Sequence, residues 1–274
     1  MTDTSTTMTA YPIIENRDLG EGWWELRCEA PELAPLCRAG QFVQVRIGEG
    51  YDPLLRRPFS VYDVGPEPGP NATEVCLLYQ VVGPGTRWMS HRRVGDRIDL
   101  LGPLGNPFPS WQKLATEEIF LVGGGIGVAP LYFYSRELTV TAGAPVPTVL
   151  IGARRESLLI GRDRFEALGV PFRCATDDGS FGVRGNVVEL LHESLAGASS
   201  PAGIGCGPHG MNVALRNLAV ERDLPFWISL ENYMPCGFGA CYGCVIEVPG
   251  SDPKRYRRVC VEGPAFPAAE IPAE

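Results

Sequence analysis

The stretch Phe120-Leu121-Val122-Gly123-Gly124-Gly125-Ile126-Gly127-Val128-Ala129-Pro130 reads as a buried strand that runs into a glycine-rich turn and then opens a helix. Glycines at such a turn let a dinucleotide's pyrophosphate approach the backbone amides, and a helix N-terminus favours the negative charge. Pro130 suits an early helical position, where its missing amide hydrogen costs nothing. The strict G-x-G-x-x-G register is not met: counted from Gly123, its last position falls on Val128. Alone, the turn reads equally well as a site of tight packing, so its neighbours decide.

Downstream, apolar runs alternate with helical stretches. Glu118–Val122, Pro147–Ile151, Val170–Ala175, Ala202–Cys206 and Pro225–Leu230 are predicted buried strands. Val128–Val140, Arg162–Leu168, Val187–Glu193 and Met211–Arg222 are each long enough for a helix. This alternation predicts a parallel sheet covered on both faces. Upstream, from Tyr11 to about Leu101, the runs are short and alternating: Gln41–Ile47, Pro58–Asp63, Glu74–Val82 and Arg97–Leu101. Gly/Pro turns such as Gly65-Pro66-Glu67-Pro68-Gly69-Pro70 separate them, which predicts a small antiparallel barrel or sandwich. Thr86–Arg93 is a candidate short helix capped by Thr86. Gly102-Pro103-Leu104-Gly105-Asn106-Pro107 reads as the break between the two patterns. Glu231–Glu274 fits neither. The expected layout is an antiparallel barrel over 11–102, a parallel α/β domain over 103–230, and a cysteine-bearing segment over 231–274.

Composition limits the function classes. With 45% apolar and 20% charged residues, the 274-residue chain has the balance of a globular protein with a real core. The net charge of −8 offers no overall basic field for phosphate backbones, so nucleic-acid binding is not expected. The long uncharged stretch Ile119–Tyr134 is broken by glycines and Pro130, which argues against a membrane span. Met1–Ala10 is Thr-rich and lacks an apolar run. It reads as a frayed tail rather than a targeting signal, and a cytoplasmic location is the expectation.

Nine cysteines are an odd number for a disulfide framework. Cys28, Cys37, Cys76, Cys174 and Cys206 are scattered, whereas Cys236, Cys241, Cys244 and Cys260 fall within 25 residues. Their spacing, C-x4-C-x2-C and a fourth cysteine after 15 intervening residues, is the plant-type spacing of a [2Fe–2S] cluster. Gly237, Gly239 and Gly243 allow the backbone to turn tightly and leave amides free to donate to sulfur. Structural zinc usually shows two paired C-x2-C knuckles, and one is present here. A dithiol redox pair would need only Cys241 and Cys244.

Leu54-Leu55-Arg56-Arg57-Pro58-Phe59-Ser60 opens a predicted barrel strand. Arginine, aromatic ring and hydroxyl in close succession can pair with phosphate, pack on a flat ring and hydrogen-bond. An edge strand with surface arginines reads the same way. His91, His192 and His209 form no evident pair with a carboxylate.

Together these motifs resemble those of the ferredoxin–NADP reductase superfamily. Arg57-x-Phe59-Ser60 is similar to its R-x-[YF]-S flavin motif, and the Gly123–Pro130 turn and Cys206-Gly207-Pro208 resemble its nicotinamide motifs. Adding Gly102-Pro103-Leu104-Gly105-Asn106, Ala175-Thr176-Asp177-Asp178-Gly179-Ser180 and Arg258-Val259-Cys260-Val261-Glu262-Gly263-Pro264-Ala265-Phe266 narrows the resemblance. Over residues 11–267 the chain is similar to the electron-transfer subunits of NAD-dependent (class 1B) dihydroorotate dehydrogenases.

That resemblance implies FAD on the barrel at Arg57, Pro58, Phe59 and Ser60, with further contacts from Leu78, Tyr79, Gln80, Gly85 and Thr86. It implies NAD(H) over Gly124, Gly125 and Gly127, with Asp177, Asp178, Cys206, Gly207 and Pro208 nearby. It makes Cys236, Cys241, Cys244 and Cys260 the ligands of a [2Fe–2S] cluster. The implied partner is an FMN-containing catalytic subunit that oxidises dihydroorotate to orotate in pyrimidine synthesis, in a heterotetramer of two of each chain. A nicotinamide exchanges two electrons as a hydride, a cluster takes one, and a flavin handles both, so such a chain needs no substrate acid or base of its own.

Several positions depart from the pattern or stay open. Phe59 stands where many superfamily members have tyrosine. Arg154 and Arg155 read as the exposed start of a loop or helix, or as a grip for the 2′-phosphate of NADPH. Lys254-Arg255-Tyr256-Arg257-Arg258 reads as a solvated hairpin face or a surface that steers a partner. Cys206 reads as a small packed residue or as a group that tunes the flavin. Two other functions are retained: a reductase subunit of a hydrogenase or ferredoxin:NADP transhydrogenase type, and a redox sensor or zinc-stabilised module, which would carry no flavin.

Overall fold

The computed structural model describes residues 6–48, 50–249 and 255–273. The first third contains β1 (Thr7–Gly20), β2 (Trp23–Glu29), β3 (Phe42–Val45), β4 (Arg57–Gly65), β5 (Glu74–Gln80), α1 (Pro84–Ser90) and β6 (Arg97–Leu104). These six strands close into an antiparallel barrel in the order β1-β2-β5-β4-β3-β6. The middle contains α2 (Trp111–Leu114), β7 (Ile119–Gly124), α3 (Val128–Val140), β8 (Thr148–Ala153), α4 (Arg162–Leu168), β9 (Phe172–Thr176), β10 (Val183–Arg184), α5 (Val187–Ser194), β11 (Ala202–Cys206), α6 (His209–Glu221) and β12 (Phe226–Ser229). The chain ends with β13 (Val245–Glu247), β14 (Tyr256–Arg258), α7 (Val259–Glu262) and β15 (Ala265–Pro267).

The predicted helices over Val128–Val140 and Arg162–Leu168 form as expected. Pro130 is the third residue of α3. Left-handed Gly161 and Gly169 bracket α4, and α5 starts on a capping box in which the Asn186 side chain accepts from the Val188 and Glu189 amides. Strand order in the large sheet is β10-β9-β8-β7-β11-β12-β15.

Two expectations are corrected, the frayed tail and the start of the short helix. Met1–Ala10 is not wholly a frayed tail. Thr7–Ala10 pair with β6 in the register Thr7↔Gly102 to Ala10↔Asp99, while Met1–Ser5 lie outside the described residues. The turns Gly20–Gly22, with positive φ at Gly20, Glu21 and Gly22, hid the β1–β2 hairpin from the turn count. The short helix begins at Pro84 instead of after Thr86. Thr86 is its third residue, and its hydroxyl accepts from the Val82 and Gly83 amides. Strands β7–β12 of the large sheet run parallel as expected, and β15 adds an antiparallel strand on the edge of β12 that fixes the C-terminal segment to it. The expected break Gly102–Pro107 overlaps the end of β6, which runs on to Leu104.

The barrel and α3 share one hydrophobic core, in which Tyr62 meets Tyr132 at 5.1 Å between ring centres. Strand β3 separates two environments. Val43 and Val45 pack into this core, whereas Phe42 belongs to a separate cluster with Leu104, Met234, Cys244, Val259, Cys260 and Phe266. The C-terminal segment is thus seated on the outer wall of the barrel. Among the described residues no helix is long and apolar enough to cross a membrane.

Candidate functional site

Two cavities meet where the barrel faces the C-terminal edge of the large sheet. The barrel cavity, about 320 Å³, is lined on one side by Pro58, Phe59 and Ser60 of β4 and by Leu78, Tyr79 and Gln80 of β5. Phe42, Met234 and Pro264 line its other side, together with Gly127 and Cys206. The sheet cavity, about 440 Å³, is lined by Gly124, Gly125, Arg154, Asp177, Pro208 and Met211, among others. Gln80, Ile126 and Glu231 line both, so the two spaces share a wall. A third cleft, about 530 Å³, continues past Thr86 to Arg57, Gly85 and Asp52. A flat group in the barrel cavity can therefore extend a phosphate-bearing tail along β4 and α1.

The two adjacent arginines have different surroundings. Arg56 is tied into the barrel by an ion pair to Asp99 at 2.9 Å and a hydrogen bond to the Gln44 carbonyl. Arg57 is exposed, lines the third cleft and donates to the Leu55 and Arg56 carbonyls at its own base. The Phe59 ring meets Tyr79 edge-on at 6.3 Å, and the Tyr79 hydroxyl donates to Asn16 at 3.0 Å. Burial pushes the Tyr79 phenol up, so it stays neutral as a wall of the cavity.

The glycine turn divides its labour. Gly125 has φ +54°, a conformation that favours glycine. Gly127 instead packs: a Cβ there would stand 2.0 Å from the Cys206 carbonyl oxygen, so this glycine lets α3 lie against the end of β11. Gly207 instead lies against the flexible end of the Met211 side chain. Gly127 and Cys206 line the barrel cavity, whereas Gly124, Gly125 and Pro208 line the sheet cavity. Burial pushes the Cys206 thiol up to about 12, which makes it a neutral packed thiol.

Asp178 departs from its expected place beside Asp177. Its carboxylate accepts from the Ser180 amide at 2.9 Å and the Ser180 hydroxyl at 2.6 Å, closing its own turn, while Asp177 lines the sheet cavity. Arg154 lines that cavity, but Arg155 is paired with Glu21 across the domain seam at 3.0 Å. Of the histidines, His91 meets the Arg87 carbonyl and His192 meets Arg222. Trp23, Asn186, Met211, Glu231 and Met234 also line the cavities, and no motif in the sequence marked them. Their only signal is position, at strand ends and just after them. Burial holds the Glu231 carboxyl above its ordinary range.

The four clustered cysteines come together on one loop and the helix beside it. Gly237 and Gly239, with φ +82° and +86°, wrap the loop around Cys236. Burial pushes the Cys236 thiol up, but amides of Cys241, Phe238 and Ala240 and the Cys241 thiol outweigh it and leave the group lowered to about 7. The Gly243 amide donates to Cys241 Sγ and the Cys260 amide to Cys244 Sγ, each at 3.4 Å. The Cys236 thiol meets the Cys241 thiol, and the Cys260 thiol feels both Cys244 and Cys236, so the four gather in one place. Among the described residues no three His, Cys, Asp or Glu side chains form a single-ion site. Four gathered cysteines whose sulfurs accept from backbone amides fit a [2Fe–2S] centre, for which they would supply the thiolates. Arg258 braces the loop, donating to the Gly239 carbonyl at 3.2 Å while pairing with Glu262. The basic run is thus partly structural: Arg255 pairs with Glu247, and Lys254 lies outside the described residues.

Residues 231–272 match the family model described as the iron-sulfur cluster binding domain of dihydroorotate dehydrogenase B. A relative from Geobacillus thermodenitrificans, named "Dihydroorotate dehydrogenase B (NAD(+)), electron transfer subunit", is 38% identical over 259 residues, 94% of this chain and 96% of that protein. One of the same name from Desulforamulus reducens is 38% identical over 243 residues, 89% and 90% of the two chains. Among solved structures, the NADH-dependent reduced ferredoxin-NADP oxidoreductase aligns with TM-score 0.80 and 29% identity over 97% of this chain and 91% of that one. A ferredoxin NADP+ reductase from Neisseria gonorrhoeae, solved with bound FAD and NADP, shares the fold at TM-score 0.64 and 18% identity over 78% of this chain and 91% of that one.

Proposed function

The chain belongs to the electron transfer subunits of dihydroorotate dehydrogenase B, and on that premise we propose that it carries electrons between NAD(H) and a separate FMN-containing catalytic subunit. The overall reaction is dihydroorotate + NAD+ → orotate + NADH + H+, a step of pyrimidine synthesis. One observation carries the reading: the barrel cavity shares one wall with the sheet cavity, through Gln80, Ile126 and Glu231, and another with the cysteine segment, through Phe42 and Met234. A two-electron donor, a flat redox ring and a one-electron centre thereby have adjoining places in the order their chemistry requires. A flavin in the middle supplies the exchange between hydride and single electrons.

FAD would be held by Pro58, Phe59, Ser60, Leu78, Tyr79 and Gln80 around its ring, with Arg57, Gly85 and Thr86 toward its phosphates. The apolar lining and the neutral Tyr79 fit a flat ring and exclude water from it. NAD(H) would lie over Gly124 and Gly125, with Asp177 and Pro208 at its sides. Cys236, Cys241, Cys244 and Cys260 would hold the [2Fe–2S] cluster. Beside the exposed Cys241, the aromatic side chains of Phe238 and Tyr242 stand out into solvent, 58% and 61% exposed. Exposed aromatics of this kind mark interaction surfaces and support docking of the catalytic subunit over the cluster. The boundaries near residues 102 and 230 are part of the same proposal.

Replacing Cys241 with Ser tests the order of carriers. The variant should retain FAD and its bleaching by NADH, yet deliver no electrons to the partner. A variant that holds FAD but no longer bleaches with NADH would contradict that order. The likeness to the reduced ferredoxin-NADP oxidoreductase keeps a second complex in view, and the choice of electron donor to the assembled pair separates the two.

A further inference from the structure

Gln44 lies under the cluster segment, and nothing in the family motifs points to it. Phe42 and Gln44 occupy the face of β3 opposite Val43 and Val45, which fill the barrel core. Phe42, Leu104 and Met234 pack there with Cys244 and Cys260, so this outer face is the floor on which the cysteines sit. Gln44 is a polar residue in that apolar floor and is 0% exposed. Its Nε2 donates to the Met234 carbonyl at 2.6 Å, across 190 residues of sequence. Gly237, next to Cys236, presses on the same side chain: a Cβ there would stand 2.7 Å from Gln44 Cγ and 3.0 Å from Leu104 Cδ1. Gln44 Oε1 is buried and accepts no hydrogen bond among the described residues. A methionine or leucine would occupy such a place without the cost of burying an amide. The amide therefore has a task that packing alone does not explain.

We propose that Gln44 is a positioning residue for the iron–sulfur centre, which fixes the Met234–Gly237 run and so sets the seat of the cluster loop on the barrel. Gln44 pairs with Pro58 across the β3–β4 ladder, so the strand that holds the loop also holds the segment assigned to FAD. Met234 lies at the junction, its carbonyl bound by Gln44 and its side chain both walling the barrel cavity and packing with Cys244 and Cys260. The spacing between the two sites is then set by a sheet and one buried hydrogen bond, both more rigid than a loop contact. The inference rests on the assignment of the cluster to the four cysteines.

The test compares the full chain with its Gln44→Met and Gln44→Leu variants, all reconstituted with FAD, iron and sulfide under anaerobic conditions. The measurements are the EPR spectrum of the dithionite-reduced protein, the rate of iron release to a ferrous chelator, and FAD content as a check on folding. Gln44→Met removes donor and acceptor at nearly constant volume. It should keep its FAD, shift or broaden the EPR signal, and release iron roughly tenfold faster, the factor expected for one lost buried hydrogen bond. Gln44→Leu likewise lacks donor and acceptor, in a smaller side chain, and should change the EPR signal in the same sense even if Gln44→Met fails to fold. A parent chain with a [2Fe–2S] signal and variants that match it in spectrum and iron release would overturn this proposal alone. A parent without that signal would overturn the cluster assignment and this proposal with it.

Discussion

Arg164 Nη2 on α4 lies 2.5 Å from Glu25 Oε1 on β2, joining the sheet domain to the barrel through a carboxylate that is 1% exposed. The same guanidinium reaches Asp63 on β4 at 3.4 Å and lies over the Tyr62 and Tyr132 rings. Arg136 on α3 pairs with Asp63 from the other side. Burial pushes the Asp63 carboxyl up, against the downward pull of these two arginines. The seam that sets the two cavities side by side is thus a buried charge network. Removing one partner of such a network is costly because the other charge stays buried.

Replacing Arg164 with Met should therefore cost ~2–4 kcal/mol of stability, read by urea unfolding. The double variant Arg164→Met/Glu25→Gln should recover part of that loss, because without Arg164 the buried Glu25 has its pairs with Arg27 at 3.1 Å and the exposed Arg17 at 3.5 Å to offset its burial. Equal losses in the single and double variants would mean that Glu25 is satisfied without Arg164.

Arg56 and Arg57, adjacent in sequence, should separate cleanly. Arg57→Ala should leave the fold intact and weaken FAD retention by roughly tenfold or more, the scale of a charge-assisted hydrogen bond, measured as flavin per chain after gel filtration. Arg56→Ala should lower thermal stability instead, since it leaves Asp99 without its 2.9 Å partner. Full flavin retention in Arg57→Ala would remove that residue from the site.

Two glycine substitutions distinguish packing from chain freedom. Gly127→Ala drives a Cβ into the Cys206 carbonyl, and since both groups are backbone neither can swing aside. The expected cost is ~3 kcal/mol or more. Gly210→Ala, in α6 with nothing within 4 Å of the new Cβ, should stabilise by ~0.5–1 kcal/mol. Thermal unfolding of both variants is the check.

Glu137 gives the chain a pH dependence of predictable sign. Burial pushes its carboxyl up to about 7, against the Ala39 amide that donates to it at 3.2 Å and the Arg38 guanidinium. A carboxyl with a raised folded-state value binds its proton better when folded, so its ionisation costs stability above pH 7. That cost fades as pH falls through the folded value of about 7 toward the ordinary value of 4.5. Glu137→Gln should therefore be more stable than the parent at pH 8, by ~1–3 kcal/mol, and should converge with it near pH 4.5. A constant offset across that range would place the effect elsewhere.

Much of this architecture was legible in the sequence because local rules and tertiary demands agree. The α3 and α4 boundaries follow from apolar periodicity bounded by glycines, and the cysteine spacing singled out the four cysteines that the fold gathers. Other features depend on long-range contacts. Thr7–Ala10 lack an apolar run and become a strand because β6 offers them a partner. Asp178, identical to Asp177 in type and neighbourhood, is turned away by Ser180. Glu231 and Met234 gain their places from the path of the chain after β12. Gln44 alternates within a strand like any barrel residue until the C-terminal segment covers it.

The most direct measurement is NAD+ reduction driven by dihydroorotate, with this chain co-purified anaerobically with an FMN-containing catalytic subunit. The expected result is NADH formation that needs both chains and is abolished by Cys241→Ser, in a variant whose flavin NADH still bleaches. No NADH from the assembled pair, with a flavin that NADH still bleaches in this chain, would contradict the assignment to dihydroorotate oxidation and send the electrons to a different catalytic subunit.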